Sequence, residues 1–154
     1  MWRNIWKPYK KISGLERGVQ QTIIKILITL SFLLISSYSD LKTRNVSNKI
    51  TFTWLLIALI IAGYDISQRG SSYLLIVGLS WAAMSILTYL LFATKILGGA
   101  DVKALISLSL LYPQDVFFIL ALAFLLTICV KKFKNVSNFP FMLPLTGGFI
   151  LVIL

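Results

Sequence analysis

The sequence predicts an all-α membrane protein, a compact bundle of six transmembrane helices. Hydrophobic residues make up 58% of the 154-residue chain and charged residues only 13%, and the mean hydropathy is +0.87. This composition leaves too little polar surface to cover a water-soluble core. The apolar residues also fall into long runs between short charged clusters. A helix that crosses about 30 Å of hydrocarbon needs about 20 such residues, so each run is a candidate span.

Six apolar runs follow one another along the chain. No repeat, low-complexity tract or soluble domain interrupts them, so residues 21–154 are expected to form a single core behind a tail of residues 1–20. The predicted spans, with bounds accurate to about 2 to 4 residues, are 21–39, 47–64, 72–95, 100–112, 115–130 and 139–154.

The tail, MWRNIWKPYKKISGLERGVQ, is basic and carries three large aromatic residues. It precedes an apolar run as the front of a secretory signal does. However, that run extends over residues 22–38, which is longer than the apolar region of a usual signal peptide, and no small-x-small cleavage site follows it. It is therefore assigned as the first span. The tail suits either a segment lying along lipid headgroups or a disordered extension.

The fourth and fifth spans are short and are separated only by Pro113, Gln114 and Asp115. One long kinked helix is an alternative to two helices here. A tight helical hairpin is preferred, because a helix breaker beside two polar side chains would be costly at mid-membrane.

Loop charges predict an N-terminus outside the cytoplasm, since the only cation of the outer loops is then Arg69. The tail, with five cations of its own, stands against this orientation. The inner loops would carry eight cations: Lys42, Arg44, Lys49, Lys95, Lys103, Lys131, Lys132 and Lys134.

The chain has only five acidic residues, and the parity of the spans divides them between the two faces. Asp40 ends the first span and Asp101 begins the fourth, so six spans place both on the same face, the cytoplasmic one by the loop charges. Glu16, Asp65 and Asp115 fall on the other face. The 12 residues from Asp101 to the end of its span cover only about 18 Å, which places this acid inside the hydrocarbon boundary. A charge there must be paired, hydrated or protonated.

Each acid also has a purely structural interpretation. Asp101 can cap the fourth helix, and Asp40 can pair with Arg44 four residues on. Capping does not account for Gly98, Gly99 and the small Ala100 before Asp101. These residues allow a sharp turn or the close approach of another chain. Two carboxylates that share one proton can polarise a carbonyl and activate water, which is the chemistry of aspartic proteolysis.

Other chemistries lack the necessary residues. The chain has no histidine and a single cysteine, Cys129, which excludes an internal disulfide, a Ser-His-Asp or Cys-His mechanism, and in practice a zinc site with three protein ligands. A magnesium site for lipid phosphotransfer would need further acids. The net charge of +10 is spread over the loops and is attributed to topology and anionic lipid, not to nucleic acid.

Two segments together resemble the type IV prepilin and archaeal preflagellin peptidases. YSDLKTRNVSNKIT (38–51) resembles their first active-site segment, and GGADVK (98–103) resembles their GxGD motif at the start of the fourth helix. FPFMLPLTGG (139–148) is similar to the opening of their last helix. The motif differs here in one position, because Ala100 replaces the glycine before the aspartate. The resemblance runs from about residue 22 to the C-terminus.

The resemblance implies a catalytic pair, Asp40 and Asp101, that needs no cofactor and no metal. Supporting positions would be Gly98, Gly99, Ala100, Lys103, Arg44 and Asn48, with Lys103 at least as suited to a contact with a headgroup or a backbone carbonyl of the loop as to catalysis. Asn48 could satisfy backbone groups where the first loop turns into the second helix. Simple capping of that helix by Ser47 or Asn48 is an equal alternative.

The implied function is that of a membrane aspartic endopeptidase. It would remove the short basic leader of type IV pilin-like or archaeal flagellin precursors at the cytoplasmic face of the cell membrane, and would be of the archaeal, peptidase-only type. A proton-coupled transporter that uses the same two acids is the main alternative. A presenilin-like or signal-peptide-peptidase-like enzyme that cuts within a substrate helix is a third.

Overall fold

The computed structural model describes residues 7–43, 46–134 and 140–153, with side chains from residue 19 onward except 133 and 134. Within these ranges the chain forms six α-helices and no strand, which confirms the predicted all-α class and the number of helices. Their bounds are α1 Lys7–Thr43, α2 Asn48–Arg69, α3 Ser71–Ala93, α4 Gly99–Leu111, α5 Val116–Lys134 and α6 Met142–Ile153.

The length and apolar composition of these helices are those of a membrane protein. In the described part of the chain, three helices are long and apolar enough to cross a bilayer: Val19–Thr43 of α1, α2 and α3. Their outward surfaces carry large apolar side chains such as Leu75 and Leu79, which suit contact with lipid. α6 is apolar but has only 12 residues, and α4 has 13 residues, most of which are buried.

Two helices extend further than predicted. α1 begins at Lys7 instead of near residue 21, and α2 continues to Arg69 instead of ending near residue 64. Hydropathy reports where a helix is apolar, whereas the backbone continues as a helix wherever its polar side chains find water or a partner. The hairpin prediction for the fourth and fifth spans is confirmed, since a turn over residues 112–115 separates α4 from α5.

The six helices pack as two groups of three. α6 lies against α1 and α5, and α4 lies against α2 and α3, whereas contacts between the groups are sparser. One contact between the groups is the stack of Phe32 on Trp54, with ring centroids 4.5 Å apart and an interplanar angle of 8°. Another is the edge-on contact of Tyr112 with Phe149, at 5.3 Å. We call the two groups the α6 group and the α4 group.

Small and polar residues bring α6 close to its neighbours. Ser37 of α1 donates a hydrogen bond to the Met142 carbonyl (3.0 Å), and its hydroxyl lies 2.7 Å from that of Thr146. On the other side of α6, Gly148 lies so close to α5 that a Cβ atom there would be 2.7 Å from the Ile119 carbonyl oxygen. Such contacts are typical of helix packing in membranes, where burial from water no longer drives association. They fix the position of α6 against α1 and α5.

Candidate active site

Asp40 lies in the last turn of α1, at the end of the bundle where α6 begins. Its Oδ2 atom accepts a hydrogen bond from the backbone N–H of Met142, with an N···O distance of 3.4 Å. Met142 is the first residue of α6, so the carboxylate meets one of the free N–H groups at the positive end of that helix. The side chain is partly buried. Asp40 therefore belongs to the α6 group both by its own helix and by its contact.

Asp101 lies in the first turn of α4. Its Oδ2 atom accepts a hydrogen bond from the backbone N–H of Gly98 at 3.1 Å, which is the half of a capping box made by the third residue of a helix. The structural role considered from the sequence, capping of the fourth helix, is thus present. It occupies only one of the two carboxylate oxygens, so it does not prevent a second role.

The two acids lie near one another, Asp40 in the α6 group and Asp101 in the α4 group. The charge of Asp40 acts on the Asp101 carboxyl, which requires the two to be near one another. Within residues 7–43, 46–134 and 140–153, no salt bridge engages either acid, and the Oδ1 atom of each has no hydrogen-bond partner. The fold therefore presents two carboxylates, each anchored by one oxygen and available through the other.

The small residues before Asp101 leave space around its carboxylate and around the start of α4. A Cβ atom on Gly98 would lie 3.1 Å from Asp101 Oδ2, so the glycine leaves room for the carboxylate to return to the Gly98 N–H. Its backbone, at φ −78° and ψ 159°, is one that any residue adopts. A Cβ atom on Gly99 would make only an ordinary 3.8 Å contact with the Phe92 ring. Ala100 is partly buried against the core.

A hydrogen bond joins two of the other predicted positions. The Lys103 ammonium donates to the Asn48 side-chain oxygen at 2.7 Å and so links α4 to the start of α2. This is neither of the contacts considered for Lys103 from the sequence. Ser47 is the N-cap of α2 and accepts from the Lys49 N–H at 3.3 Å, which leaves the Asn48 side chain free for the lysine. Arg44 and its predicted pairing with Asp40 lie outside the described residues.

Sequence reasoning missed the contact from Met142 to Asp40, which spans 102 positions in the chain. The FPFMLPLTGG segment, which contains Met142, resembles the opening of the last helix of the peptidases named above. That resemblance indicated that the segment matters but did not indicate which residue it contacts. The remaining predicted positions, other than Arg44, lie at the same end of the bundle as the two acids.

Comparison with known proteins gives one result. The model of the type IV leader peptidase family matches residues 27–131, about two-thirds of the chain, from within α1 to within α5. The matched region contains both acids and the Gly98–Asp101 turn. No match was found among the curated proteins or among the solved structures.

Proposed function

The chain belongs to the type IV leader peptidase family and is therefore a membrane protease, and we propose that it is an aspartic endopeptidase with Asp40 and Asp101 as its catalytic pair. Its proposed substrates are precursors of type IV pilin-like proteins or archaeal flagellins. These have a short basic leader ahead of a hydrophobic helix, and cleavage between the two takes place at the cytoplasmic face.

The observation that carries the proposal is the proximity of two acids at one end of the bundle. Asp40 and Asp101 are 61 positions apart in the chain and come from different helix groups, yet they lie near enough for one to act electrostatically on the other. In a chain with five acidic residues, capping accounts for one carboxylate oxygen of Asp101 but not for the nearby Asp40. Within a family of proteases, such a pair is best interpreted as the catalytic centre.

The proposed reaction is hydrolysis by a shared-proton pair. The ionised carboxylate removes a proton from a water molecule, and the water oxygen attacks the carbonyl carbon of the scissile peptide bond. The protonated carboxyl donates its proton to the carbonyl oxygen. As the tetrahedral intermediate collapses, the C–N bond breaks and the acid that took the water proton donates it to the amine nitrogen. One hydroxyl of the intermediate returns a proton to the other acid, so the pair ends with one shared proton as it began.

The remaining predicted positions would support this pair. Gly98 would keep the Asp101 carboxylate close to the turn, while Gly99 and Ala100 would leave space beside it for an extended peptide. The Lys103–Asn48 hydrogen bond would hold α2 and α4 in register. Arg44 remains a proposed contributor from the first loop.

The test is co-expression with an epitope-tagged pilin-like or flagellin precursor. Asp40→Asn and Asp101→Asn should each abolish leader removal, while the amount of enzyme in the membrane fraction stays normal. Glu16→Gln is the matched control, because it also converts a carboxylate into an amide but lies on the face predicted to be opposite. Continued processing by the double Asn variant would rule out the mechanism.

A further inference from the structure

A second candidate site lies at the other end of the bundle. A cavity of about 820 Å³ is lined by residues 21–28 of α1, 60–69 of α2, Tyr73 of α3, the end of α4 with the turn that follows it (111–115) and the end of α6. We call it the distal cavity. Its volume is within the range of about 300 to 1,000 Å³ that is usual for small-molecule sites. It lies between the α6 and α4 groups, as the two acids do, but at the opposite helix ends.

The lining of the distal cavity is amphipathic. The apolar part of the lining, which we call the isoleucine wall, includes Ile24, Ile28 and Ile60, together with Val152. The rest of the lining includes three glutamines, three tyrosines and four charged residues. Residues 21–28 and 60–69 are near the ends of the candidate membrane spans, which begin at Val19 in α1 and end at Arg69 in α2. The polar part of the cavity is therefore at the depth of lipid headgroups, and its apolar wall faces the hydrocarbon side.

Two of the four charges neutralise each other. The Lys25 ammonium lies 2.8 Å from Asp65 Oδ2, with both side chains only 14% exposed. The same ammonium lies 5.1 Å from the centroid of the Tyr112 ring. A nearly buried pair of this kind has little charge left for a ligand. Lys25 and Asp65 thus form a wall of the cavity and bridge α1 and α2.

The other two charges, on Arg69 and Asp115, are available. The Arg69 guanidinium stacks over the Tyr73 ring at 4.7 Å, and no carboxylate lies within salt-bridge distance of it in the described part of the chain. The Asp115 carboxylate likewise has no salt-bridge partner among the described residues. An arginine held on an aromatic ring presents its N–H groups to a phosphate, and a free carboxylate attracts an ammonium group.

We propose that the distal cavity binds a phospholipid with a zwitterionic aminoethyl phosphate headgroup. Arg69 binds the phosphate, Asp115 attracts the ammonium group, and the upper part of the acyl chains lies on the isoleucine wall. The cavity carries one free charge of each sign beside an apolar surface at headgroup depth. A zwitterionic lipid matches all three features, whereas an anionic lipid would leave Asp115 facing a negative ligand.

The test is native mass spectrometry of the detergent-purified protein with added phosphatidylethanolamine, phosphatidylglycerol or diacylglycerol. Phosphatidylethanolamine should bind most tightly. Arg69→Gln should weaken both phospholipids by about tenfold, the loss of one charge-assisted contact, and Arg69→Lys should recover part of it. Asp115→Asn should weaken phosphatidylethanolamine and strengthen phosphatidylglycerol. Both residues are at least partly exposed, so the fold should tolerate these changes.

The controls separate headgroup recognition from general lipid affinity. Lys49→Gln removes an exposed cation at the opposite end of α2 and should leave all three affinities unchanged. Equal binding of the two phospholipids to the wild type, or no effect of Arg69→Gln, would overturn the proposal. Competition by diacylglycerol as strong as that by phosphatidylethanolamine would also overturn it, because the cavity would then be a site for apolar ligands only.

Discussion

Gly148 marks a close approach of α6 to α5, and its substitution by alanine tests how α6 is positioned. A Cβ atom at this residue would lie 2.7 Å from the Ile119 carbonyl oxygen and 3.1 Å from the Ala123 nitrogen. Both obstacles are backbone atoms of α5, so no side-chain rotation can relieve the contact. Normal van der Waals separation would require the two helices to move apart by roughly 1 Å.

The expected cost follows from two opposing terms. Overpacking against a rigid neighbour costs about 1 to 3 kcal/mol, while replacing glycine by alanine within a helix gains about 0.5 to 1 kcal/mol. Gly148→Ala should therefore lower the free energy of unfolding by up to about 2.5 kcal/mol, and by about 1 to 3 kcal/mol relative to an alanine substitution at an uncrowded helical glycine. Leader processing should fall as well under the proposed mechanism, because the Met142 N–H that holds Asp40 is at the start of the same helix.

Two glycines serve as graded controls. At Gly147 the nearest atom to a new Cβ would be a Leu126 methyl carbon at 3.0 Å, which is the movable end of a side chain, so Gly147→Ala should cost less. At Gly78 of α3 nothing lies within 4 Å, so Gly78→Ala should be neutral or slightly stabilising. The measurement is urea unfolding in one detergent, followed by tryptophan fluorescence. Equal midpoints for the Gly148 and Gly78 variants would refute the close packing of α5 and α6.

Two further substitutions test contacts outside the candidate active site. Asp65→Asn should destabilise the protein by about 3 kcal/mol in the same unfolding assay, because it leaves the nearly buried Lys25 without its counter-ion. The double variant Lys25→Met, Asp65→Leu should recover most of that loss, and a double variant no better than the single one would contradict the assignment. Lys95 has a left-handed backbone (φ 59°) after the end of α3, where the N–H of Ile96 bonds to the Leu91 carbonyl. Lys95→Gly should stabilise by about 1 kcal/mol, since glycine adopts that conformation without strain; a loss of stability would contradict this.

The number, order and type of the helices could be predicted from sequence because they depend on local composition. Long apolar runs require helices in lipid, and Pro113 with its polar neighbours required a break between α4 and α5. The errors occurred where polar residues continue a helix. α2 extends through Asp65 to Arg69, and the first of these two residues is satisfied by Lys25, which is 40 positions away in the chain. Hydropathy contains no information about such distant partners.

The candidate site was predictable in part for the same reason. Parity alone placed Asp40 and Asp101 on one face, but it could not specify which atoms hold them. The anchors are the Met142 N–H for Asp40 and the Gly98 N–H for Asp101. A backbone donor leaves no residue-type signal in the sequence, so the Met142 contact depends on how α6 packs against α1.

The positions of the charged residues along the chain also indicate a partner for Lys25. The parity of the spans placed Asp65 and Asp115 on the face opposite Asp40, and Lys25 is at the start of the first span and hence near that same face. A cation inside an apolar run is costly unless an acid lies nearby, so Lys25 already indicated a partner among the few acids available. The ion pair was therefore accessible to sequence reasoning, whereas the volume of the distal cavity was not.

The division into two helix groups connects these features. Asp40 is anchored to the start of α6 and Asp101 to the turn before α4, so each carboxylate is fixed to a different group. Under the proposed mechanism, the distance between the two carboxylates is then set by the relative position of the groups. The Phe32–Trp54 stack and the Lys25–Asp65 pair are among the contacts that join them. A small shift of one group against the other would change the carboxylate separation while leaving each anchoring hydrogen bond intact, so under the proposed mechanism substrate binding at the boundary would bring the pair together without rebuilding either half.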